Sequence, residues 1–158
     1  MGVINNAFNQ AAGTVAGAAL IIQHAKETDE SKVNSAENSA LAARNEARAA
    51  ETEARAANDE YAKEGGLADQ MATARRNSEK AEKAYDKAKN RKNGALKTIL
   101  SKRNDLMAAQ EAVHQLNDKY KAIQNIRDRA TEQIVHAAKA TKLAQEAQEK
   151  FKKRWGGK

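Results

Sequence analysis

Between residues 36 and 61 the chain sets Ala36, Ala40, Ala43, Ala47, Ala50, Ala54, Ala57 and Tyr61 at alternating steps of four and three residues. A repeat averaging about 3.5 residues puts them on one stripe of a helix, the pattern by which helices pack along one another. Here the stripe is built from methyl groups where leucines would be expected. Exchanging Leu for Ala forgoes about three buried carbons, on the order of 2 kcal/mol per site at roughly 0.8 kcal/mol per methylene. Over the whole stripe that loss exceeds a typical folding margin of about 5–15 kcal/mol. What alanine supplies instead is helix propensity and close backbone approach. The segment is therefore expected to be helical when tightly packed and weakly held alone.

A second stripe starts at Leu67 and keeps the four–three spacing to Trp155, with 20 of its 26 positions apolar. The exceptions are Ser78, Lys92, Lys102, Arg127, Thr141 and Gln148. Lys92, Lys102 and Arg127 read as residues that set register and partner number. Tyr61 and Leu67 stand six residues apart, so the two stripes are out of phase across Gly65-Gly66, and a boundary is expected there. At Asn93-Gly94 two readings stay open. Basic residues followed by Asn-Gly form a helix-end signal, which favours a hairpin turn, yet the stripe passes through 92 and 95 in phase, as one continuous helix would. Leu96, Leu100, Met107, Ile126, Val135 and Leu143 lie off the stripe and widen the apolar face, which suits a bundle of three or more helices. With no proline and 4% aromatics, the expected fold is all-α: long coiled-coil helices in a helical hairpin or bundle that oligomerises. Three segments are expected: 1–25, 26–64 and 67–158, the last with a possible turn at 93–94.

Charge follows the same division. Residues 1–25 carry no charged side chain, residues 26–66 have a net charge of −4, and residues 67–158 a net charge of +11. The uncharged start contains an apolar run from Ala11 to Ile22, too short for the roughly 18–20 residues that cross a bilayer as a helix. Gly13, Gly17, Leu20, Ile21 and Ile22 are its candidate membrane-contacting or helix-packing residues, the glycines allowing close helix approach. No Lys or Arg precedes the run, so a Sec secretory signal is not expected. Thr28, Asp29 and Ser31 then offer helix-start chemistry, which places a break in the run Lys26–Lys32.

Little in the chain points to catalysis. Cysteine is absent, and His24, His114 and His136 lack a third ligand, although His114 has Asp118 one turn on and His136 has Glu132 one turn back. No nucleophile–base arrangement or phosphate-cradling glycine loop is found. The expectation is a non-enzyme with no cofactor, metal or small-molecule substrate. The basic block from Arg75 to Arg103 holds Arg75, Arg76, Lys80, Lys83, Lys87, Arg91, Lys92 and Arg103, with Lys89, Lys97 and Lys102 beside them, for a net charge of +8. It reads as a solvated face, a sequence-independent nucleic-acid surface or a site for an acidic protein. Only Tyr85 interleaves, so base stacking is not indicated. At the C-terminus Phe151, Arg154 and Trp155 form an anchor, either the last knob of the stripe or a contact to anionic headgroups or phosphate.

The order of parts, with "AAGTVAGAALII" first, then an Ala/Glu/Arg helix, then a basic helical tail, resembles the internal virion proteins of tailed phages known as ejection proteins, and the DNA pilot proteins of small icosahedral phages. That resemblance implies a virion-interior location, or host cytoplasm before assembly. It implies a homo-oligomer within a larger assembly, a hydrophobic start that engages membrane, and helices along which DNA passes. On it, Gly13, Gly17, Leu20, Ile21 and Ile22 would meet membrane and Arg75–Arg103 would face DNA. A more local stretch, "LKTILSKRNDLMAAQ" (96–110), is similar to the receptor-binding helical hairpins of colicins. The competing expectations are a nucleic-acid-associated coiled coil and a helical scaffold for a protein partner.

Overall fold

A chain without proline, and without glycine from residue 18 to residue 64, offers little to stop a helix once begun. The computed structural model describes the backbone of residues 2–156 and the side chains of residues 17–156. It holds three helices that pack against one another: α1 (Gly2–Ala62), α2 (Leu67–Lys89) and α3 (Leu96–Trp155). The break expected at Lys26–Lys32 does not occur, because α1 runs through it. Thr28 Oγ1 donates to the His24 carbonyl at 2.8 Å, so the hydroxyl is satisfied inside the helix rather than capping a new one. Residues 2–25 and 26–62 therefore belong to one helix.

Gly65 and Gly66 end α1 and start α2. Gly65 has φ +69°, the left-handed conformation that glycine adopts without strain, and the Gly66 amide donates to the Lys63 carbonyl at 2.8 Å. A Cβ on Gly66 would lie 2.5 Å from the Glu60 carbonyl oxygen, so only glycine fits. Asp69 Oδ2 reaches back to accept from the Gly65 amide at 2.8 Å, and Gln70 Nε2 donates to the Gly65 carbonyl at 3.1 Å. Between α2 and α3 the chain leaves the helix. The Asn90 amide still bonds the Asp86 carbonyl, and the Gly94 amide donates to the Arg91 carbonyl at 3.3 Å. α3 then begins with the Thr98 and Ile99 amides on the Ala95 carbonyl.

The chain divides into two units. The first comprises residues up to Ala47 together with Gln133–Lys158, and there α1 lies antiparallel to the end of α3. Asp29 meets Arg154 and Trp155, Glu37 meets Gln148, and Ala43 and Ala47 pack on Ala137 and Ala140. The second comprises Arg48–Glu132, where the last turns of α1 and the whole of α2 run antiparallel to α3. Tyr61 stacks on Tyr120 with ring centroids 5.5 Å apart, and Ala74 shares a groove with Ala109 and Ala112.

Burial follows the stripes. Ala36, Ala40, Ala43, Ala47, Ala50, Ala54, Ala57 and Tyr61 are all buried or half-buried, while the residues between them are mostly exposed. Ala40 retains 2% of its surface. Of the second stripe only Lys92, Ala95 and Ile134 are exposed. Eight of the nine buried hydrophobic side chains among the described residues are alanines, Met71 being the ninth. The helices are thus held by backbone proximity and methyl contacts rather than by large interlocking side chains. Of the residues expected to widen the apolar face, Leu96, Leu100, Met107, Val135 and Leu143 stay exposed and Ile126 is half-buried, so among the described residues most of that face is left uncovered.

Candidate functional site

The N-terminal candidates sit in the first unit on α1. α3 ends opposite Asp29, since Trp155 Nε1 donates to Asp29 Oδ2 at 2.9 Å. The part of α1 before Asp29 therefore extends beyond the helix it pairs with. Leu20, Ile21 and Ile22 keep 68%, 72% and 58% of their surface in contact with water. Gly17 has open space where a Cβ would go, with no described side chain within 4 Å of that point. Gly13 lies outside the described side chains. Among the described residues no helix is long and apolar enough to cross a membrane.

The basic candidates belong to the second unit. Arg75, Arg76, Lys80, Lys83, Lys87, Lys89, Arg91, Lys92, Lys97 and Arg103 are exposed, and Lys102 is half-buried. None forms an ion pair with a described carboxylate; the pairs found are Lys63–Glu60, His114–Asp118 and Arg154–Asp29. Lys89 Nζ sits 5.4 Å over the Tyr85 ring, which occupies the aromatic side chain of this surface. The α2 face mixes signs through Glu79, Glu82 and Asp86, but no acidic residue follows Asp86 until Asp105.

The C-terminal candidates close on α1. Phe151 and Arg154 line a groove with Asp29 and Val33. Arg154 Nη1 pairs with Asp29 Oδ2 at 2.8 Å and its guanidinium lies 4.8 Å over the Trp155 ring. The Trp155 indole N–H, followed by the charges of Arg154 and Lys32, holds the Asp29 carboxyl below its ordinary range. Phe151 and Trp155 are half-buried, engaged within the chain as the end of the stripe.

Sequence reasoning missed the partners that meet the polar stripe residues. Arg127 Nε donates to Asn58 Oδ1 at 2.5 Å, and its guanidinium lies 5.5 Å over Tyr61. Gln148 Nε2 donates to Glu37 Oε1. These are cross-helix contacts between residues far apart in the chain, with no local signal. The signal that could have exposed them is the antiparallel register: once one pair is known, its neighbours follow.

For metal chemistry, His114 Nε2 stands 3.6 Å from Asp118 at an exposed site. No three His, Cys, Asp or Glu side chains among the described residues come close enough to share an ion. Compared with known protein families, curated proteins and solved structures, the chain finds no match.

Proposed function

We propose that this chain is a non-enzymatic structural protein that acts by surface contact, as an internal or ejection-type virion component. The uncharged start of α1 meets a membrane, and the basic face that begins at Arg75 and Arg76 lies along DNA by sequence-independent phosphate contacts. The observation that carries the reading is the exposure of Leu20, Ile21 and Ile22 on a helix that has outrun its partner. Leaving three large aliphatic side chains in water on consecutive residues forgoes roughly 1.5–3 kcal/mol for each that could be buried. A membrane surface, or another copy of the chain inside an assembly, recovers that energy. The virion setting rests on the order of parts, and homo-oligomer formation on the apolar residues that the chain itself leaves uncovered.

Flotation with anionic vesicles tests the membrane half, using the full-length chain and L20S/I21S/I22S. Both are compared in high salt, where headgroup attraction is screened. The parent chain should float and the triple variant should not. Equal flotation of the two would overturn the assignment to α1. The second reading, a nucleic-acid-associated helical protein, is favoured by the unpaired cations of the second unit. Its mark is an affinity for duplex DNA that ignores sequence and falls linearly with salt on logarithmic axes.

A further inference from the structure

The connection between α2 and α3 differs from the rest of the basic surface. From Lys87 to Arg103 the chain carries Lys87, Lys89, Arg91, Lys92, Lys97, Lys102 and Arg103 and no acidic residue. The first turn of α3 has no acidic side chain either, so nothing there offsets the positive end of the helix dipole. Into this cationic turn the chain places two leucines. Leu96 is 70% exposed and Leu100, one helical turn on, 46% exposed. Met107, eleven residues after Leu96, falls on the same side of α3 and is exposed too. The turn is closely packed, since a Cβ on Gly94 would lie 2.9 Å from the Ala88 carbonyl oxygen.

We infer that this turn is a second membrane-contacting point, which docks on an anionic lipid surface with Leu96 and Leu100 entering the headgroup–acyl boundary and the surrounding cations resting on lipid phosphates. It is independent of the uncharged start of α1, and it leaves Arg75, Arg76, Lys80 and Lys83 on α2 as the cations of the DNA-facing surface. The pairing of charge and apolar surface selects the occupant. A nucleic-acid backbone would satisfy the cations but leave both leucines in water. A base-stacking platform needs aromatic faces, and Tyr85 lies under Lys89. A second copy meeting turn to turn would set like charges together. An anionic lipid surface takes both components at once, each cation adding to the attraction and the buried apolar area anchoring the contact.

The chain has no cysteine, so Asn93→Cys gives a single site for an environment-sensitive fluorophore at the exposed tip of the turn. The label is placed in the full-length chain carrying L20S/I21S/I22S, which removes the α1 contact, so the two assignments fail separately. With vesicles of phosphatidylcholine and phosphatidylglycerol the emission should brighten and shift to the blue. With phosphatidylcholine alone it should not change. Adding L96S/L100S should weaken the apparent vesicle affinity by about tenfold or more. Both side chains are exposed, so helicity by circular dichroism should be unchanged. Nitroxide-bearing lipids provide a check without those substitutions, because they should quench the label. Three results would overturn the inference: a label that responds to duplex DNA but not to vesicles, vesicle binding equal with and without L96S/L100S, or no quenching by nitroxide lipid.

Discussion

Gly66→Ala asks whether the joint between α1 and α2 is a close approach or merely a flexible link. The added Cβ would sit 2.5 Å from the Glu60 carbonyl oxygen and 2.7 Å from that of Lys63. Ordinary carbon–oxygen contacts are about 3.3–3.6 Å, and both obstacles are backbone atoms, one in the last turn of α1 and one just after it, that no rotamer change can move. Relief requires α2 to shift away, which strains the hydrogen bonds from the Gly66 amide to Lys63 and from the Gln70 amide to Gly66. Overpacking of this kind costs about 1–3 kcal/mol, and the two strained bonds put the expected value in the upper half of that range. Gly65→Ala is the matched control. It meets nothing within 4 Å, but it forces a side chain to φ +69°. That costs about 1–2 kcal/mol, of which the lower entropy of the unfolded chain offsets about 0.4–1. Gly66→Ala should therefore lower the midpoint of thermal unfolding by about 4–12 °C and Gly65→Ala by no more than about 6 °C, given roughly 2–4 °C per kcal/mol for a chain of this size. Far-ultraviolet circular dichroism reads both. A Gly66→Ala variant as stable as Gly65→Ala would show that the joint gives way, and the close-approach argument would be wrong.

Asp29→Asn should loosen the contact with Arg154 and Trp155, and Trp155 is the sole tryptophan, so its fluorescence should shift to the red at neutral pH. In the parent chain the lowered Asp29 carboxyl means the contact is complete above the ordinary carboxylate range. It is lost as pH falls through the lowered Asp29 value, below the ordinary carboxylate range, and the same red shift should appear there and not on the alkaline side. Ala43→Glu would place a carboxylate against Ala137 and Ala140 at a site with 3% exposure. It should cost several kcal/mol and remove most helical signal on mild heating, whereas Ala42→Glu, at an exposed position, should change little. Arg127→Ala should cost about 1–2 kcal/mol in urea unfolding through loss of the Asn58 bond and the Tyr61 contact. A double-mutant cycle with Asn58→Ala should then show coupling between the two sites.

The helical class and the buried faces were legible because they are periodic and local. Counting four–three steps picks out Ala40, Ala43, Ala47, Ala130, Ala137 and Ala144, and these are the side chains that lose nearly all their surface. Thr28 was misread for a reason equally local. A hydroxyl that can cap a new helix can also bond back to the carbonyl four residues earlier, and with no glycine or proline nearby the existing helix prevails. The phase at 92 and 95 could not distinguish a turn from a continuous helix, because two arms of a hairpin each present their own stripe to the other. What remained illegible was partnership across the chain: Asp29 with Trp155, Glu37 with Gln148, Asn58 with Arg127.

Those pairs also explain why alanine suits the stripe. Methyl-only contacts let the backbones come close, and closeness lets a short Asn58 side chain reach Arg127 and lets Glu37 reach Gln148. Leucines along the stripe would add burial but hold the helices further apart, and short polar side chains would then lose their partners. Register is therefore set by a few polar contacts, while the stripe supplies proximity with little energy. Helices so held commit little of their apolar surface to one another. Leu20, Ile21 and Ile22 in one unit, and Leu96, Leu100 and Met107 in the other, stay exposed, so a surface that bound them would add stability that the fold alone does not provide.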